Sequence, residues 1–476
     1  MAIGSDQLPV RPTRKREDDM DVPFTAEQTW FLHEVYPQML DPDRFAVLEF
    51  YRLPVGIGAD AVDDVVAELW ETHSGLRVEI RHGDRGWTQR LSDTAPPAPL
   101  RRIDIRSLDE ADREPAAVEI AAELRGGLSI AAGRLIRFVH FDAGTDNPGY
   151  LFVVLHHLLG DYASLTVLER HCSRALASRL AGKGRVRVKA APFEQCTRIL
   201  NDHANSDELA DEFRYWSGLD WDGLATLPQR PGRRPEEVIR EQTMRSVVGG
   251  ATAERLVYRL PEQLGITAEN LVLAALSAAV TGPAGGDFCV TVVRNGRSSA
   301  GRVIPDEHGG PPTSRSLLPL RAWGTVGWFA TMGAIVMPGR GTDGVAEYLK
   351  RVDESVRAIP NAGANYGILR WLRDPARGDG GSMAPAHPQV HFNYFGIESP
   401  DDTQDSLLHR VPLPDSRSTF TVFPRPQALA VMARVSDGNL ELDWLFDQYL
   451  PYDTVAGIAA RCEEALVEFA GLAEPS

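Results

Sequence analysis

The sequence predicts an α/β fold, and two observations carry that expectation. Segments with apolar residues at helical spacing recur at 59–73, 111–125, 163–180, 267–280, 344–358 and 453–470. Between them stand short runs of bulky or β-branched residues, LIRFVHF, YLFVVLHH, FCVTVV and TMGAIVMP, which have strand length and strand composition. The two kinds of segment alternate along the chain instead of segregating, the pattern of layered helices and sheets. A content of 43% hydrophobic and 24% charged residues is that of a chain that buries a core, and 476 residues suffice for more than one unit of it.

The first 21 residues, MAIGSDQLPVRPTRKREDDMD, are polar and read as a disordered tail that includes Arg14, Lys15 and Arg16. The folded chain is expected from Val22. Thr25 with Gln28 three residues later fits a capping box at the start of the first helix. In 59–73, Ala61, Val62, Val65, Val66, Leu69 and Trp70 share one helical face. LRVEIRHGDRGWTQRLSD alternates around HGDRG and reads as a β-hairpin. LIRFVHF and YLFVVLHH are two strands separated by the turn-rich DAGTDNPG, and a helix follows directly after HHLLGDY.

AGKGRVRVKAAP, residues 181–192, is basic and rich in small residues. It is expected as a linker or an edge strand and marks a boundary. The second half repeats the mixed character: helix 267–280, strand FCVTVV, a loop-rich insertion at 301–322, strand TMGAIVMP and helix 344–358. The Gly-rich loop ARGDGGSMAPAHP, the segment VHFNYFG, a strand pair within 428–446 and a closing helix at 453–470 complete it. No solenoid or propeller repeat is present.

Charge excludes some classes of function. The 50 Lys+Arg against 66 Asp+Glu give a net charge of −16. Nucleic-acid binding needs a cationic surface that displaces counterions, and this balance argues against it and against a membrane-surface role. No apolar run approaches the length of a bilayer span. The N-terminal residues lack the apolar core of a signal peptide, so a cytoplasmic location is expected. The 4 cysteines, Cys172, Cys196, Cys289 and Cys462, are scattered without a CxxC pair and predict neither a disulfide framework nor a zinc site.

One segment carries chemistry: YLFVVLHHLLGDYASLTVL. An apolar strand ends in His156 and His157, with Asp161 four residues beyond the second. Adjacent residues of a strand face opposite sides, so one imidazole points into a cavity and the other into the packed body. Asp161 near the start of the next helix can turn back on the loop, and buried there it needs a partner, most simply an arginine. Neutral imidazole takes a proton from an attacking amine or alcohol, which suits acyl transfer.

HHLLGDYASL resembles the HHxxxDGxS motif of nonribosomal peptide synthetase condensation domains and their chloramphenicol-acetyltransferase-like relatives. VPFTAEQTWFLHE resembles the family's opening LTPxQxxxWFL segment, ELWETHSGLRVEI its RHxxLRxxF segment and EFRYWSGL its YWxxxL segment. GGLSIAAGRLIRFVHF is similar to the stretch leading into the active-site strand, with Arg134 in place of the usual proline. LGITAENLVLAALSAAV resembles the helix that opens the second lobe. VTVVRNGR resembles the strand-and-arginine segment, and GTVGWFATMGAIVMP the later VGWFT-type segment. Together these cover about residues 22–470.

The resemblance implies two chloramphenicol-acetyltransferase-like lobes in a V with an active-site tunnel between them. The expected division is a tail over 1–21, an N-terminal lobe over 22–185 carrying HHLLGD, and a C-terminal lobe over 186–476. It implies that His157 is catalytic and that His156 and Asp161 hold the loop in shape. Asp161 should pair with an arginine of VTVVRNGR, Arg297 first and Arg294 second. Tyr162 and Ser164 are the acceptor-side candidates. The implied activity is that of a free-standing condensation enzyme. It would move an acyl or aminoacyl group from a phosphopantetheine thioester to an amine or hydroxyl. Peptidyl or acyl carrier proteins would act in trans, with a small-molecule or carrier-bound acceptor. No metal and no intrinsic cofactor are expected, because the phosphopantetheine arm belongs to the carrier.

Tyr162 departs from the family's glycine and is expected to narrow the acceptor side, to bind a polar acceptor through its hydroxyl, or to pack on the following helix. The family also holds epimerases and recruitment domains that bind an oxygenase. GTVGWFATM and VHFNYFG have an epimerase-like look, but Val290-Thr291-Val292-Val293-Arg294 lacks the glutamate an epimerase places there. His156, His157 and Asp161 are all present, whereas recruitment domains usually carry a damaged motif. Asp405-Ser406-Leu407 is read as a chance likeness to a carrier's phosphopantetheine site, and GxSxG, P-loop and GxGxxG motifs are absent. Lys183, Arg185, Arg187 and Lys189 alternate at strand spacing, either as a patch for an acidic carrier or as a solvated linker.

Overall fold

The computed structural model describes residues 21–473 apart from 40, 85, 93–99, 125, 222, 229–240, 300, 305–312, 378–382, 384–387, 398–405 and 414–426. The tail with Arg14, Lys15 and Arg16, most of ARGDGGSMAPAHP, and Asp405 lie outside the described residues.

Two mixed sheets organise the molecule. The first half supplies β1 (Ala46–Arg52), β2 (Val78–Gly83), β3 (Gly86–Leu91), β4 (Leu100–Asp104), β5 (Ile136–Asp142) and β6 (Tyr150–His156). The second supplies β7 (Glu241–Val248), β8 (Phe288–Asn295), β9 (Gly301–Ile304), β10 (Thr313–Ser316), β11 (Ala330–Met337), β12 (Val390–Ile397), β13 (His409–Arg410), β14 (Leu429–Ser436) and β15 (Asn439–Asp447). The first sheet runs β13-β1-β6-β5-β4 and the second β11-β8-β12-β14-β15-β7. β2 and β3 form the separate hairpin expected around HGDRG.

The continuous apolar run of β6 has a physical cause. It is the middle strand of the first sheet, paired antiparallel with β1 and β5, and every residue from Tyr150 to His156 is buried. Along the chain the first half also supplies helices α1 (Ala26–Trp30), α2 (Ala59–Thr72), α3 (Glu110–Glu123), α4 (Tyr162–Leu180), α5 (Phe193–Ala204) and α6 (Ala210–Ser217), of which α2 packs on β5 and α4 on β1. Helices Ala268–Thr281, Val345–Ala358 and Tyr452–Ala470 occupy the second half where helical spacing predicts them. Residues 183–192 form no strand. The Val186 N–H donates to the Glu68 carboxylate at 2.9 Å instead of to a ladder, so the linker alternative holds.

One apolar core extends from Val22 to Ala473 and takes in both sheets. A smaller cluster, including Phe50, Ala117, Phe141 and Phe152, lies beneath α3. β13 crosses from the second half to the edge of the first sheet, with Tyr51 opposite Arg410 and Arg52 opposite His409. The two halves are therefore joined through shared apolar packing and through a strand.

Candidate active site

The backbone bonds on the β5 and β1 sides of β6 set the histidine pair. The His156 N–H donates to the Leu135 carbonyl at 2.7 Å and the His157 N–H to the Phe45 carbonyl at 2.8 Å, so the two imidazoles leave the strand on opposite sides. His156 is fully buried. Its Nδ1 accepts from the Leu158 N–H at 3.1 Å and its Nε2 donates to the Pro42 carbonyl at 2.9 Å, which fixes the tautomer. Both nitrogens are engaged, and the ring braces the turn.

His157 remains partly open. Its ring stacks on Phe45 at 4.8 Å and 22° and lies 4.3 Å from the Trp328 ring centroid at 40°. Nδ1 is enclosed and has no hydrogen-bond partner among the described residues. Nε2 is left as the accessible nitrogen. Burial pushes His157 down to about 4, against the opposing pull of the Asp161 charge, so the ring is neutral at physiological pH.

Asp161 ties the histidine turn to the second half. It caps α4, with Oδ1 accepting from the Ser164 N–H at 2.9 Å and the Ser164 hydroxyl at 2.8 Å. Arg297 grips both oxygens, Nη1 on Oδ2 at 2.7 Å and Nη2 on Oδ1 at 3.0 Å. Oδ2 also accepts from the Phe329 and Ala330 N–H groups at 3.1 and 2.8 Å. Burial alone would raise the carboxyl, but the Arg297 charge and these hydrogen bonds outweigh it and hold Asp161 below its ordinary range. Arg297 in turn donates to the Thr325 and Gly327 carbonyls and lies 5.2 Å above Phe329. Gly296 lets it arrive, because a Cβ there would meet the Phe329 carbonyl oxygen at 1.9 Å.

Two residues of α1 complete the surroundings. Gln28 forms the expected capping box with Thr25, and its amide also donates to the Leu158 carbonyl at 2.7 Å and to Gln89 at 2.8 Å. Glu27 is buried and accepts from the Met332 N–H of β11 at 3.1 Å. Burial drives its carboxyl up to about 8, with the Asp161 charge pushing the same way and hydrogen bonds opposing. Sequence reasoning assigned no role to Gln28 beyond the cap, nor any to Glu27 or Trp328. A carboxylate and an amide inside the apolar TAEQTWFL segment were the available signal for the first two.

The structure brings His156, His157, Asp161, Ser164 and Arg297 together and leaves others apart. Arg294 pairs with Glu269 and does not reach Asp161. Ser164 is not an acceptor-side group: its hydroxyl is buried and taken up by Asp161, Arg297 and Gly327. Tyr162 packs neither into a closed core nor alone. Its ring meets Phe395 at 6.3 Å and the Arg410 guanidinium at 5.6 Å, and its hydroxyl bonds to Glu49, which places it where β1, β12 and β13 meet. Ser406 bonds to Glu169 on α4. Arg185 is paired with Glu71 at 2.6 Å, which takes one cation out of the 183–189 series. Among the described residues no cluster of His, Cys, Asp and Glu has a metal-holding arrangement, and no single helix is long and apolar enough to cross a membrane.

Residues 19–450 match the family described as Condensation domain. One of the linear gramicidin synthase proteins of Brevibacillus parabrevis is 26% identical over 453 residues, covering 94% of this chain but only 8% of the relative. The chain thus spans a small part of that protein's length. Among solved structures, the epimerization domain from the third module of tyrocidine synthetase B superposes with a TM-score of 0.75 at 21% identity, over 95% of this chain and 96% of that one. The X-domain from teicoplanin biosynthesis gives 0.68 at 20% identity over 98% of each. These likenesses establish a shared fold.

Proposed function

The chain belongs to the condensation-domain family, and on that premise we propose that it transfers an acyl or aminoacyl group from a carrier-protein phosphopantetheine thioester to an amine or hydroxyl acceptor. The acceptor nitrogen or oxygen attacks the thioester carbonyl, the C–S bond breaks, an amide or ester bond forms, and the acceptor's proton ends on the released thiol. The observation that supports this reading is His157: a neutral imidazole, open at Nε2 and clamped between Phe45 and Trp328. Nε2 accepts a hydrogen bond from the incoming nucleophile and orients its lone pair, a contribution made through positioning. Asp161 and Arg297 hold the turn and do not touch the reacting atoms.

The test offers a panel of aminoacyl and acyl carrier thioesters with amine and alcohol acceptors, and reads products by mass. An acyl–acceptor product that collapses in His157→Ala is the expected result. Solvent deuterium entering a carrier-bound aminoacyl group without any acceptor would replace this reading with epimerisation. Carrier binding that survives His157→Ala, with no product from any pair in the wild type, would replace it with a docking platform.

A further inference from the structure

A cavity of about 380 Å³ opens at the end of the first sheet where the histidine turn begins. Leu159, two residues beyond His157, lines it, and so does Leu135, whose carbonyl receives the His156 N–H. Its charged wall is made by Arg77, Arg101, Arg134 and Arg137. Its apolar wall includes Leu76 and Leu100 besides Leu135 and Leu159. The volume is that of a small-molecule site. One carboxylate, Glu79, faces it, and Glu79 is paired with Arg81 at 2.8 Å on the same hairpin.

Two of the arginines are fixed by backbone. Arg137 donates to the Gly126 and Gly127 carbonyls at 3.2 and 2.9 Å. Gly127, at φ +90°, makes room for it, since a Cβ there would lie 2.6 Å from the guanidinium. Arg77 donates to the Trp70 and Glu71 carbonyls at the end of α2. Arg101 and Arg134 are exposed and have no carboxylate partner among the described residues. Burial, followed by the charges of Arg101 and Arg134, pulls the Arg137 guanidinium below its ordinary value. Like charges gathered around one cavity repel one another, and an anion among them offsets that repulsion. Arg134 also stands where the resembled family carries proline, so this cation is not part of the shared pattern.

We propose that this cavity binds an oxyanion carried on an apolar chain, the head among Arg101, Arg134 and Arg137 and the chain along the leucines. The planar guanidinium fork matches a phosphate or carboxylate. A bare inorganic anion would leave the leucine wall wet, and a neutral amphiphile would leave the cations unpaired. The test is calorimetric titration of the whole chain with octyl phosphate, octanoate, inorganic phosphate and octyl glucoside. Octyl phosphate or octanoate should bind about tenfold or more tighter than inorganic phosphate, and comparing those two assigns the head group. Arg101→Glu with Arg134→Glu should weaken that binding at least about tenfold without lowering the thermal midpoint, because both side chains are exposed and their repulsion of Arg137 is removed. Arg101→Gln with Arg134→Gln should weaken it less, and Arg214→Glu on α6 not at all. Three outcomes each overturn the proposal: no binding of either anionic amphiphile, binding untouched by the charge reversals, or equal binding of octyl glucoside.

Discussion

At His157 packing sets both the orientation and the basicity of the imidazole. Enclosure by Phe45 and Trp328 keeps the ring neutral down to about 4, so it orients a nucleophile without titrating near its ordinary 6.5. With an alcohol acceptor, which adds no titration of its own, the rate of acyl transfer should be level between about pH 5.5 and 8 and fall below about 5 as the ring gains its proton. A pH–rate profile with its inflection near 6.5 would refute this. His157→Ala should lower turnover about a hundredfold or more while leaving unfolding within about 1 kcal/mol of wild type. Arg297 behaves in the opposite sense. Arg297→Met leaves the Asp161 carboxylate buried beside an apolar side chain and should cost about 3–5 kcal/mol in urea unfolding. Arg297→Lys should recover little, because an ammonium cannot reproduce the two-pronged contact at 2.7 and 3.0 Å.

At the scale of elements, the outer edge of β11 is the joint between the halves. β11 ends its sheet, so its outward N–H groups need acceptors from elsewhere. Asp161 takes the Ala330 N–H at 2.8 Å, and Glu27 takes the Met332 N–H at 3.1 Å. The two carboxyls differ in their compensation: Asp161 has an arginine and stays ionised, whereas Glu27 is raised to about 8. Above pH 4.5 the unfolded chain releases the Glu27 proton while the folded chain keeps it until about 8. The unfolded state then binds fewer protons, and stability falls as pH rises through that window by at most about 1.4 kcal/mol per unit. Glu27→Gln retains an oxygen for Met332 and has no proton to lose. Its stability relative to wild type should increase steadily from pH 5 to pH 8 in paired urea titrations. A constant difference would contradict the assignment.

At the scale of the whole molecule, the halves are not independent folding units. The main core runs from Val22 to Ala473 across both sheets, β13 completes the first sheet from within the second half, and the Asp161–Arg297 pair crosses between them. Separating the halves would expose that core and leave two buried charges without partners. Calorimetry should therefore show one unfolding transition. A fragment of residues 22–185 should lack a cooperative transition by near-ultraviolet circular dichroism, and two resolved transitions in the whole chain would contradict the shared core.

Periodicity in the sequence alone determined the α/β class and the positions of most helices and strands, because side-chain burial repeats with the local backbone period whatever the tertiary partners are. The strand-end histidines and the aspartate that follows were legible for a related reason, since motif spacing records where a strand stops and a helix begins, whereas the arginine of VTVVRNGR came from the family resemblance. The resemblance ranked Arg297 ahead of Arg294, and packing agrees: Arg297, just past the end of β8, reaches Asp161, whereas Arg294 within β8 pairs with Glu269. Local pattern could not show that Ser164 is enclosed, that Trp328 closes on His157, or that Lys183–Lys189 alternates without forming a strand. The tertiary structure decided each of these, because burial, pKa and pairing depend on groups that lie far apart in the chain and meet only when the two sheets close on one core.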